Sequence, residues 1–155
     1  MSDAPNRLPW PPIIYLAAIA IAILLGYFYP LPWAPRPISD LLLAVGGLLV
    51  AAVVAIDVSA MRTLRAAKTT IMPHRASDHL VTSGPFSFSR NPIYLANSLL
   101  MIAIGFIAGS VWFILFAIIA AFITTKLAIE REENHLETRF GKRYRDYAKK
   151  VRRWI

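Results

Sequence analysis

The chain has 155 residues, enough for one domain, and is 57% hydrophobic with 17% charged residues, more apolar and less charged than a soluble domain. It carries no cysteine, which excludes a disulfide framework, a thiolate zinc site and a cysteine nucleophile. The net charge of +8 would suit nucleic acid, but the basic residues cluster beside apolar blocks, as at a membrane surface, so no nucleic-acid partner is expected.

The opening stretch, MSDAPNRLPWPP, lacks the basic n-region and cleavage site of a signal peptide, so the first apolar span is expected to be retained. Four apolar spans follow, at residues 13–29, 38–61, 92–108 and 111–129. The first and third are near the lower limit of roughly 17 residues for crossing a bilayer. The last two are separated only by Gly109 and Ser110. One continuous helix over both would be roughly 57 Å long at ~1.5 Å per residue, far beyond a ~30 Å hydrocarbon core. A tight helical hairpin at Gly109-Ser110 is predicted instead. Span two has Gly47, Ala51 and Ala55 at four-residue spacing, the pattern of a close-packing face. Asp57, near its end, is expected to pair with Arg62 or a tail arginine.

Five Lys/Arg lie between Arg62 and Arg90, and ten more run from Lys126 to Arg153. The connector around Pro30–Pro37 has only Arg36, and the last hairpin turn has none. The positive-inside rule then puts both termini and the middle segment in the cytoplasm. The whole chain reads as a single all-α integral membrane domain of about four transmembrane helices. A cytoplasmic connector (62–91) and a cytoplasmic tail (130–155) complete it, and a bacterial or archaeal inner membrane is expected. In the tail, Leu136, Phe140, Tyr144, Tyr147 and Val151 fall on one helical face, basic residues occupy the rest, and Gly141 is a predicted break. Taken alone, that pattern fits an interfacial helix on anionic lipid.

Polar groups inside apolar spans are expensive and tend to mark function. Tyr94, Asn97, Ser98, Met101 and Gly105 share a face of span three. Ala117, Ala121, Thr124/Thr125, Ala128 and Glu132 do the same in span four and beyond. The two faces would either pack through small residues or line a narrow cavity. Glu132 and Glu133 stand at the bilayer exit beside that polar stripe. In the connector, His74 and His79 lack metal-ligand spacing, and no metal is expected. Gly84-Pro85 predicts a turn. Asn91 should be extended, with Pro92 as the first helical residue. Free amides at that helix start suit an anion such as a carboxylate, with Arg90 adding charge beside it. Phe86, Phe88 and Tyr94 offer faces for a planar ring. No Gly-x-Gly-x-x-Gly or Walker pattern is present, so a nucleotide site of Rossmann or P-loop type is excluded.

The stretch HLVTSGPFSFSRNPIYLANSLL, followed after a hydrophobic hairpin by REENHLETRFGKRYRDYAKKVRRWI, resembles the isoprenylcysteine carboxyl methyltransferase and phospholipid methyltransferase family. The resemblance runs from His79 to Trp154, about half the chain. It implies an integral membrane methyltransferase that uses S-adenosyl methionine. By that implication His79, Leu80, Val81, Gly84, Phe86, Arg90, Asn91, Pro92, Tyr94 and Glu132 surround the cofactor. Glu132 and Glu133 match the family's glutamate pair, and with Asn91 and Arg153 they form the implied catalytic set. Arg153 is the implied group for orienting an acidic acceptor. Asn97, Ser98, Met101, Thr125 and Arg153 are the implied acceptor-binding residues. Asn91 stands where many members have histidine, so no acid–base role is open to it. Phe86 replaces a usual tyrosine.

The expected partners are membrane lipid and a lipophilic or prenylated substrate. An isoprenylcysteine-like carboxylate is the first candidate acceptor, and a lipid amine, a thiol or another small hydrophobic molecule is the alternative. The non-enzymatic alternative is a membrane scaffold or lipid-binding protein.

Overall fold

The computed structural model describes residues 9–68 and 79–155, and every regular element among them is helical. Helix α1 spans Trp10–Phe28, α2 Ile38–Ala66, α3 Pro92–Ala108, α4 Val111–Thr124, α5 Glu130–Phe140 and α6 Lys142–Lys150. A short 3-10 turn covers Gly84–Ser87, and a π-helical segment, Thr125–Ile129, joins α4 to α5 without a break. The all-α expectation holds. Helices α1, α2 and the continuous helix from Val111 to Phe140 are long and apolar enough to cross a membrane. With 17 residues, α3 is shorter, about 26 Å at ~1.5 Å per residue.

Several boundaries differ from hydropathy. Helix α1 begins at Trp10 rather than residue 13, because Pro11 lies in the first turn, where a missing N–H breaks no hydrogen bond. Helix α2 runs on to Ala66 rather than residue 61, so the connector starts after it. Arg62 and Arg65 are good helix formers, and a helix does not stop where its apolar stretch stops.

Helix α2 packs on α3, α3 on α4, and α4 on α1. The central core joins Tyr15, Ala18 and Ala22 of α1, Met101 of α3, and Phe113, Ala117 and Ala120 of α4. Large apolar side chains on the outward faces, such as Leu16, Leu48, Ile118 and Phe122, are exposed, which suits lipid rather than water as the surroundings. The hairpin is as predicted. Gly109 takes a left-handed conformation (φ +65°), and its amide and that of Ser110 both donate to the Gly105 carbonyl. The Trp33 ring lies against Gly109, and the Trp112 Nε1 donates to the Tyr29 carbonyl at 2.7 Å. These contacts lay the α1–α2 connector across the hairpin.

The close-packing face of α2 is one residue away from the predicted one. A β-carbon at Gly46 would lie 2.8 Å from Ile107 Cγ1, 3.0 Å from the Ala103 carbonyl and 3.2 Å from Phe106 Cβ. Gly46, Val53 and Ala60, spaced by seven, are all buried. Gly47 has open space around it, and Ala51 and Ala55 are exposed. Adjacent glycines are indistinguishable in sequence, and only the partner helix separates them. Gly46→Val is therefore expected to destabilise the bundle by about 1–3 kcal/mol through overpacking. Gly47→Val should stay within about 0.5 kcal/mol. Thermal unfolding of both variants in one detergent checks the contrast.

Candidate functional site

The site forms where the start of α3 meets the tail. Gly84 has φ +58°, and a β-carbon there would lie 2.5 Å from Thr63 Oγ1 of α2, so glycine is required for the turn to seat on that helix. The Ser87 hydroxyl closes the turn by donating to the Gly84 carbonyl at 2.7 Å. Ser89 is fully buried, and its Oγ accepts from the Asn91 amide at 3.1 Å. Pro92 then opens α3, with no side chain capping the helix start. As expected from the sequence, the chain is delivered onto a helix N-terminus with uncapped amides.

The C-terminal stretch is stitched across this entry. The Arg90 amide donates to the Arg152 carbonyl at 3.0 Å, and Asn91 Nδ2 donates to the Arg153 carbonyl at 2.9 Å. Asn91 thus clips the tail to the helix start, a task its carboxamide performs without a proton to give. From α6, Tyr147 donates to the Phe86 carbonyl at 2.6 Å, and Arg90 donates to the Tyr144 hydroxyl at 3.1 Å. Burial, with the nearby Glu133 charge, pushes the Tyr144 phenol up to about 12. Burial likewise raises Tyr147. Both are neutral donors or acceptors at ordinary pH. The helix break that permits this packing is at Gly141, as predicted, with φ +54°.

The two adjacent glutamates have different surroundings. Glu133 is held by two arginines. Arg153 makes a two-pronged contact through Nε at 3.1 Å and Nη2 at 2.7 Å, and Arg90 Nη2 lies 3.1 Å away. The Arg90 and Glu133 side chains are each 15% exposed and that of Arg153 34%, so this is a half-sheltered clamp rather than a surface pair. Glu133 in turn holds the Arg153 guanidinium above its ordinary value. Among the described residues, no such cation is seen with Glu132. Its Oε1 accepts from the Tyr94 hydroxyl at 2.8 Å. Burial, offset in part by that bond and reinforced by the Glu133 charge, lifts its carboxyl to about 7.

Below Glu132 a small polar cluster continues into the apolar bundle. The hydroxyls of Tyr15 and Ser98 lie 2.6 Å apart. Ser98 Oγ is 3.1 Å and Tyr15 OH 3.2 Å from the Tyr94 carbonyl. Tyr15 was absent from the sequence candidates. The rule that flags polar groups in apolar spans would have found it, but its partner is 83 residues away.

The structure gathers Arg90, Asn91, Tyr94, Ser98, Glu132, Glu133 and Arg153 into this region, with Phe86 and the buried Pro92 at its edge. Other candidates are placed differently. Met101 is buried in the central core. Thr125 donates to its own helix at the Ala121 carbonyl, 2.8 Å away. Asn97 is half-buried on the flank of α3, and His79 is exposed with Leu80 and Val81 half-buried beside it. Gly84 serves the turn, and Phe88 is exposed. Among the described residues Asp57 shows no ion pair with Arg62 or a tail arginine, and its Oδ1 is buried with no hydrogen-bond partner there. His74 lies outside the described residues. Among those described, no three His, Asp or Glu side chains form a metal-binding group.

The residues fit S-adenosyl methionine. A half-buried carboxylate beside the Tyr94 ring suits a sulfonium, and the uncapped start of α3 suits a carboxylate. Fold and site together define a small all-helical membrane protein with a half-buried carboxylate where its apolar helices meet a basic tail. The profile of the phospholipid methyltransferase family matches residues 41–143, and the chain belongs to that family of membrane methyltransferases. The match ends inside α6, so the contacts of Tyr144, Tyr147 and Arg153 lie beyond it. The chain is 30% identical over 139 residues to the nickel-cobalt-cadmium resistance protein NccN of Alcaligenes xylosoxydans xylosoxydans. That match covers 89% of this chain and 59% of the relative's length. An uncharacterized protein of Haemophilus influenzae is 38% identical over 63 residues, 41% of this chain and the whole of that protein. No solved structure gives a significant match.

Proposed function

We propose that this chain transfers a methyl group from S-adenosyl methionine to a lipophilic acceptor at the cytoplasmic surface of a membrane. The observation that carries the reading is the Tyr94–Glu132 pair, a half-buried carboxylate at the junction of apolar helices and a charged tail. The cofactor supplies a methyl group activated as a sulfonium. Glu132 and the rings of Phe86 and Tyr94 would hold its cationic part, and the start of α3 its carboxylate. The main work of the protein is then alignment. Orientation follows the basic residues, with connector and tail in the cytoplasm. Both named relatives are bacterial, in keeping with a bacterial inner membrane.

Between acceptor chemistries, the geometry favours one that arrives protonated, a lipid amine, over the carboxylate of a prenylated cysteine. A second carboxylate beside half-buried Glu132 would place two anions in one partly sheltered space. Arg153, the residue expected to receive an acidic acceptor, is already engaged by Glu133. An amine has to lose a proton before its nitrogen can attack, and the Glu132 carboxylate takes it.

Incubation of the reconstituted protein with methyl-tritiated S-adenosyl methionine and a total lipid extract tests the proposal. Label should pass into the organic phase and co-migrate with an aminolipid. Organic-phase label that is released by mild base would point instead to a methyl ester. Absence of organic-phase label would remove the lipid-acceptor reading.

The Glu132 shift also sets a pH dependence. A nearby sulfonium favours the ionised carboxylate, so below about 7 binding has to expel a proton, and above it does not. The affinity for S-adenosyl methionine is expected to rise by up to about tenfold per pH unit as pH increases toward 7, then level off. The neutral sulfur of S-adenosyl homocysteine should show a weaker dependence. Titrations of both ligands across that range check the sign. A flat profile for both would separate Glu132 from the sulfonium.

A further inference from the structure

Among the described residues, the outer face of α6 carries a dense block of cations that the site does not use. In nine residues α6 carries Lys142, Arg143, Arg145, Lys149 and Lys150 against the lone acid Asp146, and all six are exposed. Within the described residues only Arg145 is seen with a carboxylate, Glu137, at 3.5 Å and on an exposed pair. Such a helix is poorly supported by its own sequence. It has no acidic residue in its first turn, where Lys142 and Arg143 oppose the helix dipole, and its cations repel one another. Something anionic has to compensate from outside.

Depth in the membrane says what. The inner face of α6 is fixed to the residues that lead into α3: Tyr147 to the Phe86 carbonyl and Tyr144 to Arg90. Phe86 and Arg90 lie a few residues before Pro92, where the apolar helix begins. That holds α6 beside the charged end of the apolar helices, where headgroups would meet a bilayer-spanning bundle. Arg62 and Arg65 at the charged end of α2 are exposed as well.

We propose that the outer face of α6 docks on anionic lipid headgroups of the same leaflet, and that this docking holds the tail over the site. Juxtamembrane cations of this kind are drawn to anionic leaflets. The coupling follows from the chain itself. The residues after α6 carry Arg153 to Glu133 and the Arg152 and Arg153 carbonyls to Arg90 and Asn91. Releasing the outer face releases the clamp. The coupling to ligand binding rests on the methyltransferase reading, whereas the docking does not.

Two readouts keep them apart. The full chain is placed in nanodiscs of phosphatidylcholine alone or with phosphatidylglycerol. Hydrogen exchange of amides 142–151 reports docking, and titration with S-adenosyl homocysteine reports the site. Phosphatidylglycerol is expected to slow exchange in α6 and to tighten binding by roughly five- to tenfold, both reversed by salt. A variant with Lys142→Gln, Arg143→Gln, Lys149→Gln and Lys150→Gln should lose both responses while keeping its thermal transition. Exchange that ignores phosphatidylglycerol, or a variant that responds like the parent, overturns the proposal. So does equal protection by soluble heparin in phosphatidylcholine discs, which would assign the face to a soluble polyanion. Slowed exchange with no ligand binding in any disc would uphold the docking and defeat the methyltransferase reading.

Discussion

Glu132→Gln is expected to lower methyl transfer by roughly 10²–10⁴-fold in a chain that still folds, the span typical of a lost general base. The substitution keeps the shape and leaves an oxygen to accept the Tyr94 hydroxyl, now 2.8 Å from Oε1, so packing should survive. Among the described residues of the Tyr15–Tyr94–Ser98–Glu132 cluster, it removes the carboxylate that can take a proton at neutral pH. Because burial holds that carboxyl near 7, the native site already bears part of the energetic penalty of a sheltered charge. Glutamine removes that penalty, and thermal stability should be unchanged or slightly higher. Tyr94→Phe is the companion. Loss of its hydrogen bond, which lowers the Glu132 value, should move the alkaline-rising limb of the rate profile further up in pH. A Glu132→Gln protein with full turnover would show that the acceptor reaches the site deprotonated, as a carboxylate does.

Glu133→Gln is expected to act through structure. It leaves Arg90 and Arg153 close together with no anion between them, in side chains only 15% and 34% exposed. Breaking one partner out of a sheltered charge cluster costs on the order of 3–5 kcal/mol when fully buried, and about 2–3 kcal/mol is reasonable for this half-sheltered one. That energy is spent on tail docking, not on the apolar bundle. The variant should therefore be cut faster by trypsin at its C-terminal basic residues while the helices unfold at nearly the parent temperature. Activity should fall with docking. Arg153→Gln should have a similar effect, and the double variant should lose less than the sum, because the two residues share one contact. Equal tryptic protection in parent and Glu133→Gln chains would mean that the hydrogen bonds of the Arg90 amide and the Asn91 carboxamide to the Arg152 and Arg153 carbonyls hold the tail without the clamp.

These two neighbours show what the sequence could and could not say. Local signals were legible. Proline opens α3, glycines end α3 and α5, and the hairpin falls at Gly109, since each depends on the conformation of one or two residues. The apolar spans were legible because hydropathy reads the solvent directly. The division of labour between Glu132 and Glu133 was not. It depends on Arg90 and Arg153, which come from opposite sides of the hairpin, and on the π segment Thr125–Ile129, which turns the glutamates relative to α4. The same limit explains Tyr15, whose hydroxyl finds Ser98 across the bundle, and Gly46, which only Ala103, Phe106 and Ile107 distinguish from Gly47.

The most direct test of the central claim is calorimetric titration of the full chain in phosphatidylglycerol-containing nanodiscs with S-adenosyl homocysteine. A methyltransferase site built on the α3 entry should give saturable binding that weakens in Asn91→Ala, which unclips the tail from the helix start. The absence of binding by the well-folded parent chain would contradict it, and would leave the gathered charges as the scaffold of a lipid-binding membrane protein.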